Sequence, residues 1–148
     1  TAYEIPRRDW SSDVCSSDLS SMSPTIVTKD GKPVMVLGTP GGSRIITAVL
    51  HTIVNVIDYG MNVQEAVDAP RFHQQWLPDS TNLERFALSP DTQRILEGMG
   101  HKFGNPQPAN HLAVILIGAP ALGGAPVGRN RFYGANDPRR NTGLALGH

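Results

Sequence analysis

Two consecutive glycines are the most pointed chemical feature of this sequence. Gly41 and Gly42 lie in TPGGS, between an apolar run and a segment with helical spacing. Glycine adopts backbone conformations that a side chain bars, and it lets a ligand approach the main chain. At a helix N-terminus the N–H groups lack helical partners and the dipole favours negative charge. This corner is a candidate site for the oxyanion of an acyl-transfer intermediate, although a plain tight turn fits the same spacing.

Hydroxyl groups lie just before the first predicted strand. Ser20 and Ser21 belong to the stretch SSMSP, which ends at Pro24. Serine hydroxyls can donate hydrogen bonds to a ligand carboxylate, and a charged acceptor strengthens such bonds. Composition alone favours the alternative, a solvated turn.

The first residue raises a third possibility, because an N-terminal threonine can act as a nucleophile with its own amine as the base. Back-translation of residues 1–5 and 9–19, however, gives strings that resemble the constant parts of a sequencing-library adaptor. We therefore expect residues 1–19 to be a non-native, disordered segment before a native segment, residues 20–148. Thr1 is then no nucleophile. Cys15 has no neighbouring histidine or cation to activate it.

The histidines do not predict a metal site, because no two of them have finger or helical spacing with other ligands nearby. We expect His51 to be a packed or surface residue of a helix, and His73 at most to line a pocket. Residue counts leave a Ser-His-Asp triad open, but no nucleophile-elbow motif supports one. The turn NDPRR, which contains Asp137, is expected to be a structural corner tied by hydrogen bonds. The histidines are His51, His73, His101, His111 and His148.

The composition is that of an ordinary globular domain. A chain of 148 residues suits one domain with a buried core. Its 13 basic and 13 acidic residues balance, which argues against a nucleic-acid partner. The single cysteine excludes an internal disulfide. No apolar run approaches the roughly 20 residues that span a bilayer, so membrane insertion is not expected.

The elements around the glycine pair can be predicted from local patterns. Asp30-Gly31 between two apolar runs predicts a β-hairpin. Its second arm is almost continuously apolar, which indicates a strand covered on both faces. A core helix is expected from Ser43 to a stop at Gly60, because apolar residues recur at helical spacing: Ile45, Ile46, Val49, Leu50, Ile53, Val54 and Ile57.

Weaker patterns complete the chain. Asn62 should cap a short helix that ends before Pro70, and Ser89 should cap a compact helix that a glycine ends. Three further strands are predicted: a short one in NLERFALS, a strong one in HLAVILIG, and a final strand followed by a turn in RFYGANDPRR. Two segments, RFHQQWLPD and GAPALGGAPVGRN, are predicted to be irregular and a loop, respectively. This mixture predicts an α+β fold with an antiparallel sheet layered with helices.

Three strings together resemble the C-terminal part of the small subunit of the γ-glutamyltransferase (glutathione hydrolase) family. They are LSSMSPTIV, GTPGGSRIITAVLHTIVNVIDYGMNVQEAVDAPRFHQQWLPD and YGANDPRRNTGLALGH. The resemblance covers residues 20–148. It implies a fragment of an N-terminal-nucleophile hydrolase, an αββα sandwich in which helices enclose two stacked sheets. It also implies a precursor that cleaves itself into a large and a small subunit.

The activity implied by the resemblance is γ-glutamyl transfer and glutathione hydrolysis through a γ-glutamyl-threonine ester. The implied donors are glutathione and other γ-glutamyl compounds, and the implied acceptors are water, amino acids or peptides. No metal or organic cofactor is implied. By position, Gly41 and Gly42 match the glycine pair whose N–H groups form the oxyanion hole. Ser20 and Ser21 match the serine pair that binds the glutamyl α-carboxylate. The family also implies a periplasmic or secreted location.

The sequence departs from the family pattern at its start. The Thr-Thr-His-type motif that begins the family's small subunit is absent, and 18 residues separate Thr1 from Ser20. We therefore expect the 148-residue chain to lack the nucleophile and the large subunit, to be inactive, and to leave sheet faces uncovered. Two alternatives stay open: a cephalosporin-acylase-type amidase of the same family, and a non-catalytic fragment that binds γ-glutamyl compounds.

Overall fold

The computed structural model describes residues 23–106, 110–118, 132–139 and 143–146. Predictions about Thr1, Cys15, Ser20, Ser21 and His148 lie outside these residues, as does most of the loop GAPALGGAPVGRN. The described elements are β1 (Thr25–Lys29), β2 (Lys32–Gly38), α1 (Arg44–Ile57), α2 (Val63–Asp68), β3 (Phe72–His73), β4 (Asn82–Leu83), α3 (Pro90–Gly98), β5 (Ala113–Ile117) and β6 (Phe132–Asn136).

Strands β1 and β2 form the predicted hairpin. They pair antiparallel, and Lys29 lies opposite Lys32 at the closed end. Asp30 and Gly31 have φ angles of 52° and 74°, the positive values that the commonest two-residue hairpin turns require. The hairpin prediction is confirmed.

Four strands form one antiparallel sheet in the order β1-β2-β5-β6. The two central strands, β2 and β5, are neighbours in the sheet but distant in the chain. The segment between Gly38 and Ala113, which contains three helices and the short strands β3 and β4, connects them. The strong strand predicted in HLAVILIG and the final strand in RFYGAN are both present. The predicted antiparallel sheet layered with helices is confirmed.

Helices α1 and α2 cover one face of this sheet. Met35 and Leu37 of β2 are 1% and 2% exposed. Burying a side chain of this size stabilises the fold by roughly 1.5–3 kcal/mol. The core residues come from the inner face of the sheet and from both helices: Met35, Leu37, Ile45, Val49, Val63, Val67, Leu112, Val114, Leu116 and Ala135.

The opposite face of the sheet is largely open among the described residues. Val36 is 36% exposed, and its register partner Ile115 is 45% exposed. Residues 144–146 lie beside part of this face, since a Cβ added at Gly134 would lie 3.4 Å from the Cβ of Ala145. The prediction that β2 is covered on both faces is therefore wrong for the described chain. The expected uncovered sheet face is present.

Helix α1 follows the predicted apolar spacing. Ile45, Ala48, Val49 and Thr52 are buried, and the helix begins after Ser43. It ends at Ile57 with Asp58 as C-cap, slightly before the predicted stop at Gly60. The same apolar spacing leaves two large side chains outside the core: Ile46 is 71% exposed and Leu50 is 53% exposed.

The two shorter helices begin at the predicted caps. The Asn62 side chain accepts from the backbone N–H of Glu65 at 2.9 Å, and the Glu65 carboxylate accepts from the backbone N–H of Asn62 at 2.9 Å. This reciprocal capping box satisfies two N–H groups that the helix leaves unpaired. Ser89 caps α3, and Pro90 occupies its first turn. Among the described residues, no helix has the length and apolar character needed to cross a membrane.

The segment between α2 and α3 differs from its prediction. RFHQQWLPD contains β3, which pairs antiparallel with β4, so that Phe72 lies opposite Leu83. The strand predicted over NLERFALS is only two residues long. It ends because residues 85–86 turn, with Phe86 at a φ of 65°. Strands of two residues have no periodicity that a sequence pattern could reveal.

Candidate active site

The glycine corner, residues Gly41 and Gly42, joins the central strand β2 to the start of α1. Their φ angles are 137° and 63°, both in the region that favours glycine. Both residues are exposed. The Gly42 carbonyl oxygen accepts from the N–H of Ile45 at 3.2 Å, which leads the chain into the helix. Positive φ at two successive residues explains why glycine occurs twice here.

The N–H groups of the corner are available to a ligand. Among hydrogen bonds between described residues, none uses the N–H of Gly41 or Gly42. The neighbouring helix start adds its dipole, which favours a negative charge near these donors. Two main-chain N–H groups with no described partner, on exposed residues, can supply the donors that an oxyanion hole uses.

Thr39 fastens the corner to the loop that precedes β5. Its hydroxyl is 2.7 Å from the His111 carbonyl oxygen and 2.9 Å from the Pro40 carbonyl oxygen. Thr39 is 2% exposed, so the bond to His111 is shielded from water. Sequence patterns gave no signal for this contact, because its two residues lie 72 positions apart.

A buried ion pair lies behind the same loop. Arg71 and Asp137 meet at 2.9 Å, and their side chains are 3% and 2% exposed. Arg71 also donates to the carbonyl oxygens of Asn110 at 2.5 Å and Val67 at 2.7 Å. Asp137 accepts from the backbone N–H of Leu112 at 2.8 Å. The pair therefore holds backbone groups on both sides of His111.

The network continues to the last turn of the described chain. Arg139 donates to both oxygens of Glu84 at 2.5 Å, and to Asp137 at 3.1 Å. A forked contact between guanidinium and carboxylate fixes orientation as well as distance. The prediction that NDPRR forms a structural corner tied by hydrogen bonds is confirmed for Asp137 and Arg139.

The charges in this network shift the pKa of Asp137. Burial alone raises the pKa of the carboxyl, but hydrogen bonds from Leu112, Arg139 and Arg71 outweigh burial and lower the pKa below its ordinary value. Asp137 is thus an ionised structural group. Its carboxylate accepts hydrogen bonds from the backbone N–H groups of Leu112 and Arg139 and from the guanidinium groups of Arg71 and Arg139. It therefore holds main chain in place.

Two of the described histidines, His73 and His51, are packed against neighbouring side chains. His73 is 7% exposed, with Nδ1 2.9 Å from the Thr47 hydroxyl and Nε2 3.1 Å from Gln75 Oε1. It lines a cavity of about 20 Å³, enough for one water, so the prediction that it lines a pocket is confirmed. His51 packs on Phe72 with ring centroids 4.4 Å apart. No group of three His, Cys, Asp or Glu suited to a metal occurs in residues 23–106, 110–118, 132–139 or 143–146.

The structure thus describes one half of the predicted site. Gly41 and Gly42 lie just before α1, and their role in an oxyanion hole stays a prediction. The structure also adds Thr39, Arg71 and Asn110 as supporting residues that the sequence patterns missed. The serine pair predicted to bind a carboxylate lies outside the described residues.

The structure resembles a mutant of Helicobacter pylori γ-glutamyltranspeptidase, with a TM-score of 0.72 and 48% sequence identity, over 82% of this chain and 62% of that chain. The predicted α+β fold of an N-terminal-nucleophile hydrolase fragment, with its αββα architecture, is confirmed by this likeness. The described residues contribute one helical layer on a four-stranded sheet, together with the two-stranded pair of β3 and β4.

The family model described as gamma-glutamyltranspeptidase matches residues 17–147, and this chain belongs to that family. It is 80% identical over 130 residues to the glutathione hydrolase proenzyme of Pseudomonas sp. (strain A14) and 51% identical over 130 residues to that of Escherichia coli (strain K12). These alignments cover 88% of this chain, but only 23% and 21% of the two relatives. The chain therefore spans less than a quarter of the length of these curated relatives.

Proposed function

We propose that the glycine corner stabilises the oxyanion in γ-glutamyl transfer and glutathione hydrolysis by the complete protein to which this chain corresponds. The observation that carries the proposal is that the N–H groups of Gly41 and Gly42, two exposed residues, have no hydrogen-bond partner among the described residues. Membership of the γ-glutamyltranspeptidase family supports the substrate class.

The proposed chemistry has two steps. A threonine hydroxyl attacks the γ-carbonyl carbon of the donor, and the carbonyl oxygen becomes negative in the tetrahedral intermediate. The amine of the donor leaves with a proton and a γ-glutamyl ester forms. Water or an acceptor amine then attacks the ester and restores the threonine. The N–H groups of the corner act in both steps, and one such donor is worth about 2.7–4 kcal/mol of transition-state stabilisation.

The remaining parts of the proposed site lie outside the described residues. We propose that Ser20 and Ser21 donate to the α-carboxylate of the γ-glutamyl group, and that a large subunit of the same precursor completes the site. The printed sequence holds no Thr-Thr-His motif. We accordingly propose that the 148-residue chain alone does not turn over substrate, that residues 1–19 are not native, and that the complete protein is periplasmic or secreted.

The experiment uses a chimera in which residues 20–148 replace the matching stretch of the Pseudomonas proenzyme. Gly42→Ala is the informative variant, because an added Cβ meets nothing within 4 Å. The substitution therefore strains only the backbone, at a φ of 63°, and causes no clash. We expect kcat with a γ-glutamyl anilide to fall about a hundredfold, with little change in KM, since a small misplacement of catalytic groups has an effect of that order.

Gly31→Ala is the matched control. Gly31 has a φ of 74°, and an added Cβ there also meets nothing within 4 Å. It lies in the hairpin turn, so its substitution should leave kcat unchanged. Equal values of kcat for Gly42→Ala and Gly31→Ala would refute the proposal. A glutaryl amide assayed in parallel distinguishes an acylase-type donor preference from the γ-glutamyl preference expected here.

A further inference from the structure

The side chain of Asn110 occupies the space beside Gly41. A Cβ added to Gly41 would lie 2.3 Å from Asn110 Cγ, 2.4 Å from Oδ1 and 2.6 Å from Nδ2. Carbon atoms cannot approach this closely, so any side chain at position 41 would have to displace Asn110. The other glycine of the corner differs, because nothing lies within 4 Å of a Cβ added to Gly42.

Asn110 is held where it cannot easily give way. Its carbonyl oxygen accepts from Arg71, the carbonyl oxygen of His111 accepts from Thr39, and the N–H of Leu112 donates to Asp137. Three successive residues are therefore each fastened through the main chain. Two of the fastening side chains, Arg71 and Asp137, form the buried ion pair.

The Asn110 side-chain amide packs against the glycine corner. Its Nδ2 atom is buried and has no hydrogen-bond partner among the described residues. Gly41 lies directly against the amide group, whereas Thr39 ties the preceding backbone to the same loop. The corner is thus fixed on one side by contact and on the other by a hydrogen bond.

We infer that Asn110 is a positioning residue: its side chain, packed against Gly41, holds the glycine corner so that the two N–H groups point towards the reacting carbonyl. The inference rests on the proposed function, which it deepens by naming the residue that sets the donor geometry. Asn110 itself touches neither substrate nor the reacting atoms in this account.

The test combines substitutions at three positions in the chimeric proenzyme. Asn110→Ala is made alone, with Gly41→Ala, and with Gly42→Ala. The readouts are kcat and KM with a γ-glutamyl anilide and the midpoint of thermal unfolding. Asn105→Ala is the matched control, because Asn105 is exposed and lies outside the loop that holds the corner.

The expected signature is a reversal of sign. Asn110→Ala alone lowers kcat about tenfold at unchanged KM, because the corner loses its support. In the Gly41→Ala background the same substitution raises kcat about tenfold, because it removes the clash with the new methyl group. The strain of an alanine at a φ of 137° keeps this double variant below the chimera that retains Gly41. In the Gly42→Ala background it remains harmful. Asn105→Ala leaves kcat and KM unchanged.

Several outcomes would overturn the inference. Full kcat for Asn110→Ala, with an impaired Gly42→Ala, defeats the positioning role and leaves the proposed function intact. Full kcat for Gly42→Ala defeats the proposed function itself. A change in the thermal midpoint alone makes Asn110 merely structural. If Gly41→Ala does not fold, the kcat and KM of Asn110→Ala decide the matter.

Discussion

The hairpin turn at Gly31 and the glycine corner at Gly42 are two regions of the molecule in which a glycine has a similar backbone conformation. Both have a positive φ, 74° and 63°, and open space where a side chain would be. Gly31 closes a hairpin whose strands pair on either side of it. Gly42 directly precedes Ser43, the N-cap of the longest described helix, and carries an N–H group without a described partner. The same conformation is thus a turn in one place and a candidate site in the other.

The surroundings make the difference. The described structure places no side chain against Gly31, whereas the glycine corner has the Asn110 amide against Gly41. Behind that amide lie Thr39 and the buried pair of Arg71 and Asp137. A glycine with a positive φ does not by itself indicate a functional site. A glycine with a positive φ that other residues hold in place indicates one more strongly.

Removing the carboxylate of Asp137 should have the largest effect on stability. Asp137→Ala leaves Arg71 as a buried charge without its ion partner, and the N–H of Leu112 without its acceptor. We expect the free energy of unfolding of the chimera to fall by about 3–5 kcal/mol, measured by denaturant titration. Asp79→Ala is the control, because its pair with Lys102 is exposed and its loss should change stability little. Equal effects of the two substitutions would contradict the network.

Loss of the Thr39 hydroxyl should have an intermediate effect. Thr39→Val keeps the shape but leaves the partly buried His111 carbonyl oxygen without a described donor. An unsatisfied buried acceptor costs about 1–3 kcal/mol. Thr25→Val is the control, since its hydroxyl bonds an exposed carbonyl oxygen of Ser23. Chemical denaturation measures both, and a Thr39→Val value no larger than that of the control would show that the corner is not fastened there.

The hairpin turn should tolerate a suitable substitution. Gly31→Ala places a Cβ at a φ of 74°, which costs about 1–2 kcal/mol for an ordinary residue. Gly31→Asn should cost less, because asparagine accepts this region more readily. Thermal unfolding distinguishes the two. An Asn variant less stable than the Ala variant would show that more than backbone conformation restricts position 31.

The smallest effect concerns the pH dependence of the helix that follows the corner. Burial lowers the pKa of His51, and the charges of Arg71 and His73 lower this pKa further. The unfolded chain therefore binds the proton first as the pH falls below 6.5, and stability decreases with falling pH in that range. His51→Gln should flatten the profile of unfolding free energy between neutral and mildly acidic pH. An unchanged slope would contradict the role of His51.

Local signals predicted much of the fold. Asp30-Gly31 placed the hairpin, and the caps Asn62 and Ser89 placed two helices. The resemblance and the TPGGS spacing located the glycine corner. The support behind it was missed, because its contacts join residues that are distant in the chain, such as Arg71 and Asp137, 66 positions apart. Side-chain types and spacing carry no record of such pairings.

The open face of the sheet was only half predicted. The apolar run of β2 suggested cover on both faces, yet Val36 and Ile115 are partly exposed among the described residues. An apolar run records which faces are buried in the complete fold, whatever part of it is described. The αββα architecture of the family includes a second sheet, which gives a physical reason for an apolar outer face.

We propose that the N–H groups of the glycine corner stabilise a negative oxygen. The most direct test replaces residue 42 of the chimera by glycolic acid, which exchanges the Gly42 N–H for an ester oxygen and adds no side chain. We expect kcat with a γ-glutamyl anilide to fall by about 10²–10³ while KM changes little. A kcat within about twofold of the unmodified chimera, where loss of an oxyanion donor should remove far more, would contradict it.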